Sequence, residues 1–176
     1  MNRILLVDDE DNILRALRRV LSNENCEIET FTQPVEALRR AQVANFDLFI
    51  SDFRMPGLDG VQLLTAIKEL QPDAMRLILS GYADLDGVLV AINQTDIYRF
   101  ICKPWQDDEL RLAVHQALEH RRVLIENRHL AQRLRDQQRE IDQHKCAVEQ
   151  LAASHPQLAS VYWAPDGSII IDKGET

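Results

Sequence analysis

Over the first 118 residues the apolar positions switch back and forth between two periods. Short, largely apolar runs of strand length fall at 4–7, 27–31, 48–51, 76–79 and 98–102. Between them the apolar residues recur at helical spacing: Ile13, Leu14, Leu17, Val20 and Leu21; then Val35, Leu38 and Ala41; then Val61, Leu64, Ile67 and Leu70; then Leu85, Val88, Leu89 and Ile92. A fifth stripe begins after Pro104 with Leu110, Ala113, Val114 and Ala117. Pro34 and Pro72 punctuate helix starts and ends. Apolar strands alternating with amphipathic helices predict an α/β fold, a doubly wound five-stranded parallel sheet with helices on both faces.

Sheets of this kind take their ligands at the carboxyl ends of the strands. Asp8 and Asp9 follow the first strand, Asp52 the third, Ser80 the fourth and Lys103 the fifth. Taken singly, such an Asp is a cap or turn residue, Ser80-Gly81 a turn and Lys103 a surface charge. Together they converge on one sheet edge. Three carboxylates held close repel one another, and a hard divalent cation relieves them. Mg²⁺ suits the donor type, because it prefers oxygen and takes only a few carboxylates. Beside such a cation Asp52 would be prepared to attack a phosphoryl group and form an acyl phosphate. Lys103 and the Ser80 hydroxyl would complement the phosphoryl oxygens, with Gly81 leaving space beside them.

With these residues in view, positions 1 to 120 resemble the receiver domain of bacterial two-component response regulators. The likeness is carried by Ile4-Leu5-Leu6-Val7-Asp8-Asp9-Glu10, by Ser51-Asp52-Phe53-Arg54-Met55-Pro56-Gly57-Leu58-Asp59-Gly60, by Leu79-Ser80-Gly81-Tyr82-Ala83, and by Phe100-Ile101-Cys102-Lys103-Pro104-Trp105. It covers about two thirds of the chain and implies the flavodoxin-like receiver fold. It implies further that Asp52 takes phosphate from a histidine kinase or a phosphotransfer protein. Asp8 or Asp9, or both, would bind Mg²⁺ with Asp52 and the backbone carbonyl of Arg54. A cis Lys103-Pro104 bond would help to aim the lysine, and the Ser80 hydroxyl would move toward the phosphoryl group. The switch aromatic, three residues before the lysine, falls on Phe100 rather than on the commoner tyrosine, which keeps ring packing but loses a hydroxyl. Tyr98, five residues before the lysine, is not given that role. Phosphate would then tilt an equilibrium already present, with the partner surface expected near Leu85, Val88, Phe100 and Trp105. For Trp105, packing at a helix start is an equally good reading.

After residue 120 the fifth helix is expected to run on from 107 to about 153, with no Gly or Pro inside it. Such length suggests a coiled coil. With a at His120, Asn127, Leu134, Ile141 and Val148, the d positions are Val123, Leu130, Gln137, His144 and Leu151. Asn127 at a favours a two-stranded register, and Glu140 at g attracts Lys145 at e across a parallel dimer, whereas Gln137 and His144 weaken the seam. A single amphipathic helix folding back on its own receiver is the other possibility. His144 and His155 read as seam and loop residues rather than metal ligands. Beyond Ser154-His155-Pro156, two short apolar runs around Pro165-Asp166-Gly167 predict a β-hairpin. The expected organisation is a receiver at 1–120, a helical coiled-coil extension at 121–153 and a tail with the short β-hairpin at 154–176.

Charge and composition narrow the function. The chain carries 20 Lys+Arg against 28 Asp+Glu over 176 residues, net -8. Residues 1–118 hold 12 basic and 19 acidic residues, which argues against this part gripping nucleic acid. Residues 119–145 hold 7 and 5, mixed in sign like a solvated helix. Three scattered cysteines, the lack of a signal peptide and the lack of an apolar run long enough for a membrane point to a cytoplasmic protein. No winged helix, helix-turn-helix, Walker loop, His-Asp phosphohydrolase pair or Gly-Gly-acidic cyclase motif is legible after the receiver. The sequence therefore predicts a response regulator without a DNA-binding domain. It would signal through protein–protein contacts to an unknown downstream protein and form a homodimer through 120–151. Catalysis of its own would extend to self-phosphorylation from small phosphodonors and slow autodephosphorylation at Asp52. The rivals are the regulatory front of a longer enzyme such as a cyclic-dinucleotide phosphodiesterase, a transcription regulator lacking its reader, and a flavin-binding electron carrier. Against the last, this sequence has no Ser/Thr/Gly-rich phosphate loop after the first strand, where four acidic residues would repel phosphate.

Overall fold

The apolar runs become strands β1 (Asn2–Val7), β2 (Cys26–Phe31), β3 (Leu48–Asp52), β4 (Met75–Gly81) and β5 (Arg99–Lys103). The helical stripes become α1 (Asp11–Leu21), α2 (Pro34–Val43), α3 (Gly60–Leu70) and α4 (Asp107–Ser154). This computed structural model describes residues 1–22, 25–81 and 96–154, together with the backbone of 162–163 and 169–170. The stripe at Leu85, Val88, Leu89 and Ile92, His155 and the Pro165-Asp166-Gly167 turn lie outside the described residues.

The five strands pair in parallel in the order β2-β1-β3-β4-β5, the doubly wound arrangement expected. Because side chains alternate across a strand, each strand feeds two cores. Ile4, Leu6, Leu48, Ile50, Leu77, Leu79 and Ile101 meet Leu14, Leu17, Val20 and Leu21 of α1 and Leu110, Ala113, Val114 and Ala117 of α4. On the other face Leu5, Val7, Phe49 and Ile78 meet Ala37 and Ala41 of α2 and Leu63, Leu64 and Ile67 of α3. Described helices thus pack on both faces of the sheet, and the polar residues at the strand ends are left to one edge.

Local signals set the helix ends. Pro34 opens α2, where a missing N–H costs nothing. Asp59 caps α3 through a reciprocal box: its side chain accepts the Gln62 N–H at 2.8 Å, and the Gln62 side chain accepts the Asp59 N–H at 3.3 Å. The amide of Gln71 closes the end of α2, donating to the carbonyls of Ala41 and Ala44 while accepting the Phe46 N–H.

The chain divides into two compact units, residues 1–126 and 127–176. Helix α4 is one unbroken run of 48 residues. In the second unit β6 (Tyr162–Trp163) pairs antiparallel with β7 (Ile169–Ile170), with Tyr162 opposite Ile170. Among the described residues no helix is long and apolar enough to cross a membrane.

Candidate functional site

The ends of β1, β3 and β5 meet in one cluster. Asp8 follows β1, pinned by its N–H to the Phe31 carbonyl at 3.2 Å. Its carboxylate is fully buried, and Oδ1 accepts the Glu10 N–H at 2.9 Å. Asp52, the last residue of β3, is also buried, and its Oδ2 accepts the Arg54 N–H at 3.0 Å. Lys103 ends β5. Its Nζ donates to Asp8 Oδ2 at 2.7 Å and pairs with Asp52 Oδ1 at 2.5 Å. One ammonium therefore sits between two buried carboxylates drawn from three strands.

Burial pushes the Asp8 carboxyl up, against the opposing pull of the Lys103 hydrogen bond. Burial works the other way on the Lys103 ammonium, but hydrogen bonds to Asp52 and Asp8 outweigh it and hold the amine above the usual lysine range. The shared cation is thus firmly protonated, and it is what makes two carboxylates at this edge tolerable.

Ser80 is buried on β4, its Oγ donating to the Gly81 carbonyl at 3.1 Å. The register sets Asp52 beside Leu79 and Gly81 beside Lys103, so Ser80 lies at the same edge of the sheet. Asp9 and Arg54 are exposed, and the Arg54 backbone reaches the site through its N–H to Asp52. Phe100 is half-buried against the α2–α3 core, and Trp105 is half-buried against the α1–α4 core, as helix-start packing requires. The Lys103-Pro104 bond is cis. The structure brings Asp8, Asp52 and Lys103 into contact, places Ser80 at the same edge and leaves Asp9 facing solvent.

Among the described residues no group of three or more His, Cys, Asp or Glu side chains is disposed to hold a metal ion. The donor set nevertheless fits one of the expected kind. Asp8 and Asp52 offer hard carboxylate oxygens around a single positive charge, which is what a partly hydrated Mg²⁺ requires.

Gly60 is a residue whose role the sequence did not disclose. A Cβ built there would lie 2.0 Å from the Asp52 carbonyl oxygen and 3.1 Å from Ser51 Oγ. The Gly60 N–H is bonded to the Phe53 carbonyl at 3.0 Å, and the Phe53 N–H to the Leu79 carbonyl at 2.8 Å. The start of α3 is therefore folded against the backbone of Asp52. The only signal was a glycine closing the Pro56-Gly57-Leu58-Asp59-Gly60 turn segment.

Residues 4–115 match the response regulator receiver domain, and the chain belongs to that family. Its sequence is 37% identical over 116 residues to the hydrogenase transcriptional regulatory protein HoxA of Cupriavidus necator, a span of 66% of this chain and 24% of that protein. A solved uncharacterized protein from Neptuniibacter caesariensis superposes with a TM-score of 0.69 at 37% identity, over 72% of this chain and 93% of that one. The signal receiver domain of an HD domain-containing protein from Pseudomonas fluorescens Pf-5 does so with a TM-score of 0.66 at 38% identity, over 69% and 98%. The chain spans about a quarter of the length of the curated relatives it matches. Receiver domains of this family act in two-component systems, where they accept a phosphoryl group and interact with histidine kinases or phosphotransfer proteins; they generally bind Mg²⁺ at the phosphorylation site.

Proposed function

We propose that Asp52 is the phosphoryl acceptor of this chain, and that Asp8, Asp9, Asp52 and the Arg54 carbonyl hold Mg²⁺ beside it. The observation that carries the reading is the Lys103 ammonium shared by Asp8 and Asp52 at the carboxyl ends of β1, β3 and β5. An Asp52 oxygen attacks the donor phosphorus, and a new P–O bond forms as the bond to phosphohistidine nitrogen, or to the oxygen of a small phosphodonor, breaks. The leaving group departs with that electron pair. Mg²⁺, when bound, neutralises charge on the phosphoryl oxygens. Lys103 is already on Asp52 and has donors to turn to the new phosphoryl group, while the Ser80 hydroxyl exchanges its bond to Gly81 for one to phosphate. Phe100, packed on the core by its ring alone, is the switch aromatic.

The phosphoryl group comes from a histidine kinase or phosphotransfer protein in the cytoplasm. The chain forms a homodimer through 120–151 and signals to a downstream protein by contact. That dimer reading rests on Val123, Leu130, Leu134, Ile141, Val148 and Leu151, which stand between 44 and 66% exposed along α4 at heptad spacing. A second reading is the regulatory front of a longer output protein, such as a cyclic-dinucleotide phosphodiesterase. It is favoured by the length of the curated relatives and by the solved receiver of an HD domain-containing protein.

Acetyl phosphate with Mg²⁺ tests the acceptor. The intact protein gains one phosphoryl group, and Asp52→Asn gains none while its circular dichroism is unchanged. Labelling that persists in the variant places the acceptor elsewhere.

A further inference from the structure

Two adjacent residues of α4 within the receiver unit, His120 and Arg121, are held by different parts of that unit. The His120 ring lies on the ring of Tyr98, with centroids 5.2 Å apart and planes inclined by 31°. Tyr98 immediately precedes β5, is fixed to β4 by its N–H to the Arg76 carbonyl at 2.9 Å, and reaches the Gln116 carbonyl with its hydroxyl at 3.5 Å. Arg121 turns instead to the amino-terminal edge of the sheet. Its Nη1 pairs with Asp47 Oδ1 at 2.5 Å, and its Nε donates to the Asp73 carbonyl at 3.0 Å. Asp47 is itself built into the frame: its Oδ2 accepts the Arg3 N–H at 2.6 Å, and its backbone bonds to Arg3 and Met75.

The two holds differ in what they are attached to. Arg121 is tied to β1, β3 and the α3–β4 turn. His120 is tied to the start of the five-residue strand whose last residue is Lys103. We infer that the Tyr98–His120 stack is the contact through which β5 acts on α4 when Lys103 changes partner, with Arg121 as the fixed pivot. A ligand moves such a pair only through a contact that differs between two states. Lys103 is that contact at one end of β5, and the stack is the corresponding one at the other. Neither His120 nor Arg121 belongs to the acceptor chemistry, and the inference rests on the phosphoacceptor reading above.

Hydrogen exchange of the full chain over residues 116–126, with and without Mg²⁺ and beryllofluoride, tests it, with acetyl phosphate labelling of Asp52 followed in parallel. In the unaltered chain beryllofluoride changes exchange in this segment. His120→Ala, at an exposed position, speeds basal exchange there by about two- to tenfold, as loss of one aromatic contact would. It abolishes the response to beryllofluoride and leaves labelling intact. Tyr98→Phe, which keeps the ring, keeps the response. Arg121→Gln speeds exchange in both states and keeps the response. A full response in His120→Ala, or none in the unaltered chain while Asp52 is labelled, overturns the coupling; unchanged exchange in Arg121→Gln overturns the pivot. Failure of the unaltered chain to be labelled overturns instead the acceptor reading on which the coupling stands.

Discussion

At Gly60 the site depends on an atom that is missing. A methyl group there would meet the backbone oxygen of Asp52 at 2.0 Å, and backbone cannot yield as a side-chain tip can. Gly60→Ala should therefore cost at least about 3 kcal/mol, at the upper end of overpacking penalties. Chemical denaturation measures it, and a cost below 1 kcal/mol would show that the β3–α3 segment has room to move. The contrast with Asp52 shows what sequence conveys at this scale. Asp8, Asp52 and Lys103 were legible because each ends an apolar run, and parallel strands bring such ends to one edge. What was not legible is how they share charge. The sequence offered Lys103 only a phosphoryl partner, and the structure adds that its ammonium rests on both carboxylates. Gly60, Asp47 and Arg121 were missed for a related reason. Gly60 meets the backbone of Asp52 through the path of a loop, and Asp47 and Arg121 meet partners far away in sequence, neither of which periodicity encodes.

At the scale of elements, most of the fold was in the pattern. The five runs and five strands agree to within a residue or two, Tyr98 falling just ahead of β5. β2 is the least protected of them, an edge strand whose residues are mostly half-buried. It is tied down by charge. Glu29 accepts hydrogen bonds from Arg40 Nε at 2.8 Å and Nη2 at 3.0 Å and from Arg3 Nη2 at 2.7 Å, and Glu27 forms an ion pair with Arg3, Nε to Oε2 3.2 Å, without a hydrogen bond. The Arg40 hydrogen bond, with Arg3 helping, holds the Glu29 carboxyl below the usual glutamate range against the opposing effect of burial. A depressed carboxyl adds stability above its unfolded value, roughly 4.3, and loses it as pH falls through the folded value. Glu29→Gln should therefore lower stability by about 1 kcal/mol at pH 7, a modest figure because the group is partly solvated. The gap between variant and parent should narrow as pH falls below the unfolded value and vanish below the lower folded one. Melting both proteins across that range checks it, and a gap that persists in acid would assign the loss to packing. The apolar contribution to the same unit is larger. Leu17 of α1 is fully buried against the sheet, so Leu17→Ala should cost about 2–5 kcal/mol by denaturant titration.

For the whole molecule, the decisive feature is the apolar stripe on α4 beyond the residues that pack on the sheet. Within the single chain Leu130, Leu134, Ile141, Val148 and Leu151 stand in water at positions that recur with a coiled-coil period. One amphipathic helix leaves such a stripe unsatisfied, and a second copy of the same helix presents the matching one. In the proposed dimer, Asn127 at a and the Glu140–Lys145 pair at g and e would suit a parallel two-stranded register, and Gln137 and His144 would weaken the seam. A weak seam is the kind that a receiver is able to bias, since a modest free-energy change then shifts a large fraction of molecules. Light scattering on the full chain, with and without Mg²⁺ and beryllofluoride, distinguishes the possibilities. A dimer in both states means a standing coiled coil whose receivers change only their exposed faces. A monomer that becomes a dimer on activation makes assembly the output. Leu134→Lys with Ile141→Lys should give monomers under either, because two lysines per chain would meet in the seam. An unaltered mass in that variant would move the interface away from α4, and a monomer throughout in the parent would leave the stripe to a different protein.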